Sequence, residues 1–270
     1  MVSSDKLFAG SIPEVYDRFL VPLIFEGCAE DLAARVARTH PKSVLETAAG
    51  TGVVTRALAR RLAADASIVA TDLNQPMLDR GAARLGVDNR VTWQQADAMA
   101  LPFADHAFDV VVCQFGVMFF PDKGRAYSQA HRILKPGGRF HFNVWDRIAE
   151  NEFAAVVTDA LAGVFPQDPP RFMARTPHGY FDIAQIRSEL SAAGFTSIAV
   201  ESLDGTSKAS SARDAAVAFC QGTPLRNEIE ARDRSQLEEA TQAATRALEQ
   251  GFGKGAIEGR IRAHVFAATR

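Results

Sequence analysis

A buried strand, a loop of small residues and an amphipathic helix follow one another in SVLETAAGTGVVTRALARRLA, Ser43 to Ala63. Val44 and Leu45 predict a short apolar strand that ends at Glu46. Apolar side chains then recur every four residues opposite a face of arginines, which predicts a helix. These apolar residues are Val54, Leu58 and Leu62. A helix that begins in such a loop directs backbone N–H groups at an anionic or polar ligand group, yet here a carboxylate stands at the entrance.

The alternation of strand and helix continues to residue 146 with short connections. Apolar runs predict further strands over 67–72, 90–97, 107–116 and 139–146, with helices over 75–85 and 121–134 between them. One of these strands, AFDVVVCQFG, is continuously apolar in its middle, as a strand covered on both faces should be. The pattern is typical of an α/β fold with a doubly wound parallel sheet.

Two helices, over 13–25 and 28–38, are predicted before the first strand, and two further strands, over 196–203 and 259–270, near the end of the chain. Residues 206–258 lie between these last two strands and are mainly helical in pattern. We therefore expect a helical cap inserted between the final two strands of the sheet.

The composition is that of an ordinary globular protein, with 47% hydrophobic and 23% charged residues. The net charge of -2 offers no basic field for nucleic acid or an anionic membrane. Cys28, Cys113 and Cys220 are scattered and odd in number, which excludes a disulfide framework and predicts no metal site. With no leader pattern, and with an apolar run (FLVPLIF) too short to insert stably in a bilayer, we expect a cytoplasmic protein with a small-molecule partner. A homodimer is compatible with the sequence.

The charge of Glu46 limits which class of ligand the small-residue loop can bind. A dinucleotide site needs G-x-G-x-x-G, and the nearest match, from Gly50 and Gly52, has Thr55 in place of the third glycine. A carboxylate against a phosphate costs on the order of several kcal/mol at contact distance. The ligand should carry a positive group near Glu46 and no phosphate, a description that S-adenosylmethionine meets with its ammonium, sulfonium, ribose and adenine.

Five motifs occur in the order VLETAAGTG, ATD, QADAMALPF, FDVVVCQFGVMFF and ILKPGGRF. This order resembles the class I S-adenosylmethionine-dependent methyltransferases, and most of all the branch similar to ubiquinone/menaquinone-biosynthesis C-methyltransferases. The resemblance covers about residues 40–146. It implies a Rossmann-like, doubly wound, mostly parallel seven-stranded sheet with the last strand antiparallel, plus helical cap elements. It also implies S-adenosylmethionine as cofactor and S-adenosylhomocysteine as product.

The resemblance assigns roles to residues of the first motif. Glu46 would hold the cofactor's ammonium, directly or through water. Gly50 and Gly52 would let the backbone approach the cofactor. Ala48 replaces the first glycine of the family, so we expect it at negative φ, where a methyl group is tolerated.

The later motifs supply the remaining cofactor contacts implied by the resemblance. Asp72, twenty residues after Gly52, would accept hydrogen bonds from both ribose hydroxyls, and Asp97 with the Ala98 amide would receive the adenine amino group. The apolar and loop contacts are Leu73 and Met77 against the adenine, Gln114 and Phe115 along the methionine arm, and Tyr16 folded over the cofactor.

We therefore expect a methyltransferase that acts on a small molecule by in-line methyl transfer dominated by positioning, with C-, O- and N-methylation all open. The sequence identifies no general base; His178 and Tyr180 are candidates for lining the acceptor pocket. The expected organisation is N-terminal helices covering the active site (1–40), a cofactor-binding core (41–146), a helical cap and acceptor region (147–180 and 206–258), and the rest of the core sheet (181–205 and 259–270). A nicotinamide-dependent oxidoreductase and a non-catalytic cofactor-fold scaffold are the alternatives.

Overall fold

The computed structural model describes residues 5, 8 and 10–270; of the predicted N-terminal region 1–40, residues 1–4, 6, 7 and 9 lie outside the described residues. One seven-stranded sheet organises the described chain, with the strand order β3-β2-β1-β4-β5-β7-β6. The strands are β1 (Ser43–Glu46), β2 (Ser67–Asp72), β3 (Val91–Gln95), β4 (Phe108–Gln114), β5 (Leu134–Trp145), β6 (Thr196–Ala209) and β7 (Ile257–Thr269).

Helices connect most of these strands. In the described chain the α-helices are α1 (Ile12–Val15), α2 (Glu26–Ala37), α3 (Val53–Arg61), α4 (Gln75–Leu85), α5 (Lys123–Ile133), α6 (Glu152–Val164), α7 (Phe172–Arg175), α8 (Ile183–Ala192), α9 (Ala212–Gln221), α10 (Leu225–Asp233) and α11 (Leu237–Phe252). A π-helical segment, Tyr16–Phe25, joins α1 to α2, and short 3₁₀ turns lie at Val117–Phe119, Ile148–Glu150 and Arg234–Gln236.

The strand directions confirm the predicted fold class. β1 pairs in parallel with β2 and β4, and β2–β3 and β4–β5 are also parallel. β7 runs the other way: Asp146 N donates to Arg262 O at one end of the β5–β7 pair, and Arg270 N donates to Gly138 O at the other. The sheet is therefore doubly wound and mostly parallel, with the last strand antiparallel.

The centre of the sheet is apolar on both faces. In β4, Val110, Val111 and Val112 are each at most 1% exposed, which confirms the prediction of a strand covered on both sides. The start of β1 is fixed by Asp109, whose Oδ2 accepts the backbone N–H groups of Lys42 and Ser43 at 2.9 Å. Burial would raise the pKa of Asp109, but its ion pair with the ammonium of a nearby lysine and these backbone bonds hold that pKa at about 2.

Several predicted boundaries were wrong. The helix predicted over 121–134 ends at Ile133, and β5 begins directly at Leu134, so KPGG lies within the strand and does not separate the helix from a strand that starts at 139. A register shift between Phe108 and Val110 accommodates the extra residues. β6 continues from 203 to Ala209, and a short helix, α7, lies in the proline-rich loop. The two predicted N-terminal helices are one continuous helical run whose middle is π-helical.

The chain forms two compact units. The first comprises 27–144, 181–203 and 263–270, and in it α2 and α3 pack on one face of the sheet. The second comprises the residues up to Glu26, 145–180 and 204–262. In the second unit α11 packs on α6 and α9, and α9 packs on the π-helical segment. Among the described helices none is long and apolar enough to cross a bilayer.

Candidate functional site

Glu46, the last residue of β1, is a buried carboxyl with a raised pKa. Its side chain is 1% exposed, and Oε2 accepts a hydrogen bond of 2.6 Å from the Thr55 hydroxyl on α3. Burial raises the pKa of Glu46 to about 8, against the opposing effects of the Thr55 bond and the Arg56 charge, while the Asp72 carboxylate adds to the rise. A cation bound here would favour the ionised form, so the position suits an ammonium group.

The loop between β1 and α3 turns through three left-handed residues, Ala48 at φ 53°, Gly50 at φ 56° and Gly52 at φ 75°. The expectation of a negative φ at Ala48 was therefore wrong. The reason is that both neighbours of Ala48 are fixed by the adjacent strands: Thr47 N donates to Val112 O and Ala49 N donates to Thr71 O, each at 2.9 Å.

The methyl group of Ala48 is accommodated by a glycine in another loop. A Cβ atom built on Gly116, just after β4, would overlap the Cβ of Ala48 and lie 2.7 Å from the sulfur of Cys113. A left-handed conformation costs an L-residue about 1–2 kcal/mol. The loop thus holds strain that is tolerated because position 116 has no side chain.

Asp72, at the end of β2, is bonded to the same loop. It is 8% exposed, its Oδ2 accepts from Gly50 N at 2.9 Å, and its Oδ1 accepts from Asn74 N at 2.8 Å. Burial raises its pKa, although the bonds from Asn74 and Gly50 oppose the rise. Oδ1 also accepts from Asn74 Nδ2 at 3.2 Å. Each carboxylate oxygen has two acceptor positions, so Asp72 holds the loop and keeps one position, on Oδ2, for a ligand hydroxyl.

The predicted adenine contacts differ in how accessible they are. Leu73, directly after β2, is 44% exposed, whereas Met77 on α4 is 4% exposed. β3 ends at Gln95, so Asp97 lies beyond the strand, and its Oδ1 accepts from Met99 N at 2.8 Å and closes a turn. Ala98 lies within that turn and is half-buried. Leu73 therefore offers an exposed apolar surface, whereas the side chain of Met77 is buried.

Gln114 ends β4, and Phe115 follows it in a left-handed conformation. Phe115 has φ 52° and is 4% exposed. Its N–H donates to Asn143 Oδ1 at 3.0 Å and to Asn143 O at 3.2 Å. Sequence reasoning missed Asn143; the sequence shows only an amide among the apolar residues at the end of β5, which does not identify its partner. Strained residues of this kind cost about 1–3 kcal/mol and cluster at functional sites.

Thr51 is a second residue that sequence reasoning missed. It lies between Gly50 and Gly52, is 1% exposed, and its hydroxyl has no hydrogen-bond partner in the described part of the chain. The Arg56 guanidinium donates to Thr51 O at 2.6 Å. The polar groups around this loop are thus two buried carboxyls, backbone N–H groups and a hydroxyl. This combination fits an ammonium and a ribose better than a pyrophosphate.

The fold brings most of the predicted cofactor residues to one edge of the sheet. Glu46, Asp72 and Gln114 stand at the carboxyl ends of β1, β2 and β4, which are neighbours in the order β2-β1-β4. The glycine loop and Phe115 follow directly. Open α/β sheets bind ligands at this edge.

Tyr16, His178 and Tyr180 belong to the second unit. Tyr16 begins the π-helical segment, with its ring 5.3 Å from that of Phe25. His178 is 5% exposed and Tyr180 is 6% exposed. His178 Nδ1 lies 2.9 Å from the carbonyl oxygen of Asp146.

Comparisons with known proteins agree with this fold. Residues 44–138 match a family described as a methyltransferase domain. The ubiquinone/menaquinone biosynthesis C-methyltransferase UbiE of Idiomarina loihiensis is 30% identical over 174 residues, 60% of this chain and 69% of the relative. UbiE of Stutzerimonas stutzeri is 28% identical over 213 residues, 74% of this chain and 78% of the relative.

Solved structures share the fold at lower identity. A Haemonchus contortus N-methyltransferase in complex with S-adenosylhomocysteine superposes with a TM-score of 0.54 at 16% identity, covering 98% of this chain and 61% of that one. The cyclase SpnF superposes with a TM-score of 0.58 at 19% identity, covering 91% and 80%. These likenesses concern the fold alone.

The chain belongs to the class I S-adenosylmethionine-dependent methyltransferases, and S-adenosylmethionine is its cofactor. Within that class it is similar to UbiE, the ubiquinone/menaquinone biosynthesis C-methyltransferase. The alternatives of a nicotinamide-dependent oxidoreductase and of a non-catalytic scaffold find no support in the comparisons.

Proposed function

We propose that this methyltransferase transfers the methyl group to a carbon atom of a small organic acceptor. The observation that carries the proposal is the buried pair of carboxyls, Glu46 and Asp72, at the ends of neighbouring strands in a chain 30% identical to UbiE of Idiomarina loihiensis. The pair suits the cationic cofactor, and the name of the relative supports carbon as the methylated atom.

Each predicted cofactor residue of the first unit has a role in this proposal. Glu46 holds the ammonium group, and the backbone of Ala48, Gly50 and Gly52 lies against the methionine part of the cofactor. Asp72 accepts a ribose hydroxyl while it holds the loop through Gly50 N. The other contacts are Leu73 and Met77 at the adenine, Asp97 and the Ala98 amide at its amino group, Gln114 and Phe115 along the methionine arm, and the Thr51 hydroxyl in the loop.

The cofactor supplies an electrophilic methyl group on a sulfonium. The residues of the chain contribute binding and orientation, and positioning alone can supply a large part of the rate enhancement. Two hydrogen bonds from the backbone N–H of Phe115 to Asn143 hold the backbone after β4 in one conformation, so this loop does not have to be ordered when a ligand binds. No described carboxylate or histidine identifies itself as an obligatory base, which is consistent with a reaction dominated by alignment.

The regions 147–180 and 206–258, with the N-terminal helices, form the part of the chain that we assign to acceptor recognition. Three rings pack together next to these regions: those of Phe25 and Trp145 lie 6.1 Å apart, and those of Trp145 and His178 lie 6.3 Å apart. All three side chains are buried, so they stabilise the fold of this unit. The name of the relative, a ubiquinone/menaquinone biosynthesis C-methyltransferase, supports an acceptor with a ring over a small aliphatic amine.

Two measurements test the proposed function. Titration calorimetry with S-adenosylmethionine and S-adenosylhomocysteine should show binding of both, and NAD(H) should show none. Incubation of the enzyme with S-adenosylmethionine carrying a ¹³C-methyl group and a panel of quinols, phenols and amines should then give a product whose methyl carbon resonates as C–CH₃. A methyl resonance at the shift of O–CH₃ or N–CH₃ would contradict carbon as the acceptor atom, and tight NAD(H) binding would contradict the cofactor assignment.

A further inference from the structure

Thr55 occupies the position at which a dinucleotide-binding loop has its third glycine. In those sites the glycine lets the helix pack closely on the strand. In this chain the position is the third residue of α3, and its side chain is 0% exposed. The Thr55 hydroxyl donates to Glu46 Oε2, at the end of β1, at 2.6 Å. The side chain at this position therefore reaches the carboxyl at the mouth of the loop, which a glycine could not do.

Thr55 differs from the other threonines of the described α-helices in its hydrogen bond. In those, the hydroxyl donates to the carbonyl oxygen four residues earlier in the same helix, which is the ordinary bond of a helical threonine. They are Thr158, Thr241 and Thr245, with bonds of 2.7–2.8 Å. The carbonyl oxygen four residues before Thr55 belongs to Thr51 and accepts from the Arg56 guanidinium at 2.6 Å. The Thr55 hydroxyl is directed away from its own helix and toward the carboxyl.

The helix that carries Thr55 is fixed at both ends. The indole of Trp93 on β3 packs against the backbone of Gly52, directly before α3, where a Cβ atom would lie 2.5 Å from the ring. At the other end, the Arg90 guanidinium donates to Ala59 O at 2.7 Å. Because α3 cannot easily shift along the sheet, the Thr55 hydroxyl stays within reach of the carboxyl in either of its charge states.

The charged and titratable groups around Glu46 come from three elements. Arg56 lies on α3, Asp72 ends β2 and Cys113 lies on β4. Arg56 is always protonated, and burial raises the pKa of the Cys113 thiol to about 12, so neither changes its charge between pH 6 and pH 9. A carboxylate can only accept hydrogen bonds, and bonds to an ionised acceptor are the stronger ones. The bond from Thr55 therefore stabilises the ionised form of Glu46 more than the neutral form.

We propose that Thr55 is a positioning residue for the cofactor's ammonium group: its hydroxyl holds Glu46 Oε2 and so directs the second carboxylate oxygen, Oε1, at the ammonium. This inference rests on the proposed function and deepens it by adding a residue that determines recognition of the amino group of S-adenosylmethionine. Thr55 does not itself touch the cofactor. It acts through Glu46, by fixing the direction of the carboxylate and by favouring its charge.

The test compares S-adenosylhomocysteine with its desamino analogue, in which a hydrogen atom replaces the ammonium group. Both probes keep the adenine, the ribose and the carboxylate, so a change at Asp72 affects both alike and the ratio of their affinities reports the ammonium contact. In titration calorimetry at pH 8 the wild type should bind S-adenosylhomocysteine at least about tenfold more tightly, which is the range of one hydrogen bond to a charged group. Equal affinities in the wild type would contradict the proposed role of Glu46 and this inference with it, and no binding of either probe would contradict the function itself.

Variants at position 55 separate positioning from packing. Thr55→Val replaces the hydroxyl with a methyl group; the preference for the ammonium probe should fall about fivefold or more, while affinity for the desamino analogue stays within about twofold of the wild type. Thr55→Ser keeps the hydroxyl and should restore the preference to within about twofold. Ser128→Ala is the control, since the Ser128 hydroxyl bonds to Gly124 O within α5 at 2.9 Å; its preference should equal that of the wild type.

The pH profile gives a second readout that looser packing of α3 would not move. The affinity of the wild type for S-adenosylhomocysteine should level off above about pH 8, where burial places the pKa of Glu46. In Thr55→Val it should level off about half to one pH unit higher, because the carboxylate has lost a hydrogen-bond donor. Equal weakening of both probes in Thr55→Val, or a preference that stays at the wild-type level, would overturn this inference alone. Circular dichroism verifies that each variant is folded, and Thr55→Ala, which also lacks the hydroxyl, decides the matter should Thr55→Val unfold.

Discussion

Binding of S-adenosylmethionine should release a proton from Glu46. The carboxyl is 1% exposed, and burial raises its pKa to about 8. In the protein without cofactor it is therefore mainly protonated at pH 7. An ammonium group favours the ionised carboxylate, so the proton must leave as the cofactor binds.

The size of the effect follows from the pKa. A group with a pKa of about 8 is about nine-tenths protonated at pH 7 and about half protonated at pH 8, so those fractions of a proton should be released per cofactor bound. The affinity for S-adenosylmethionine should rise by up to about tenfold from pH 6 to pH 7 and level off above pH 8. The other charged groups near Glu46 are Asp72 and Arg56, and Arg56 does not titrate in this range.

Titration calorimetry in buffers of different ionisation enthalpy counts the protons, and Glu46→Gln supplies the control. Glutamine can still accept the hydrogen bond from Thr55, but it carries no titratable proton. The variant should bind the cofactor more weakly and release close to none of the protons that the wild type releases at pH 7. Equal proton release by the wild type and the variant would refute the assignment, and would point to Asp72 instead.

The same pKa makes a prediction for stability. A carboxyl whose folded pKa is raised above its unfolded value of 4.5 binds more protons in the folded state between pH 4.5 and 8, so stability falls as the pH rises through that window. Full ionisation of Glu46 should lower the free energy of unfolding by roughly 5 kcal/mol. The advantage of Glu46→Gln over the wild type in free energy of unfolding, measured with urea in the absence of cofactor, should grow across the window and stay constant above pH 8.

Further variants test the loop and the sheet. Ala48→Gly should raise the free energy of unfolding by about 0.5–1 kcal/mol, because glycine adopts a left-handed φ without strain; a lower melting temperature would show that the packing of the methyl group outweighs the strain. Gly116→Ala should lower it by about 1–3 kcal/mol, because its methyl group overlaps that of Ala48, and the double variant should recover part of the loss. Asp72→Asn should weaken cofactor binding about tenfold or more in calorimetry, since one amide oxygen cannot accept both backbone bonds and a ribose hydroxyl; unchanged affinity would remove Asp72 from the site. Asp109→Asn should destabilise the protein at pH 7 and progressively less as the pH falls from the ordinary carboxyl value of 3.8 through about 2, because the depressed pKa of Asp109 stabilises only the ionised form; urea unfolding should therefore show a smaller effect of the substitution at pH 3 than at pH 7, and equal effects at the two pH values would contradict that pKa.

The strand order could be predicted because the local sequence determines each strand and the family pattern supplies the topology. β2 spans Ser67–Asp72 as predicted, since apolar residues fill it and a carboxylate ends it. The start of β5 could not be predicted in this way. The segment KPGG has the composition of a turn, and only pairing with Phe108 on β4 draws Leu134 into the sheet.

Some features of the candidate site could likewise be predicted from the sequence, and others could not. The position of Glu46 and Asp72 at one edge follows from strand ends in a parallel sheet, which the sequence shows. The bond from Gly50 N to Asp72 and the bonds from Phe115 N to Asn143 join residues far apart in the chain. Such partners depend on the packing of neighbouring strands, and a single sequence carries no direct signal of it.

The φ of Ala48 shows why residue type alone misled the prediction at that position. Alanine is rare in left-handed conformations, so a negative φ was the natural expectation. The bonds from Thr47 N to Val112 and from Ala49 N to Thr71 fix the backbone on both sides, and the residue between them adopts the conformation that closes the loop. The strain energy of the left-handed Ala48 is offset by stabilising interactions elsewhere in the fold.

Strain at Ala48, burial of Glu46 and burial of Asp72 all lower the stability of the protein without its cofactor. A ligand that binds only the folded state adds stability through its own binding free energy, and this ligand also removes the cause of two of the three penalties by supplying an ammonium and a hydroxyl. The gain in melting temperature on adding S-adenosylmethionine should therefore be larger at pH 8 than at pH 6, because more of the binding free energy is realised when Glu46 is already ionised. Glu46→Gln should show the same gain at both pH values, and a pH-dependent gain in that variant would mean that another group near the loop carries the linkage.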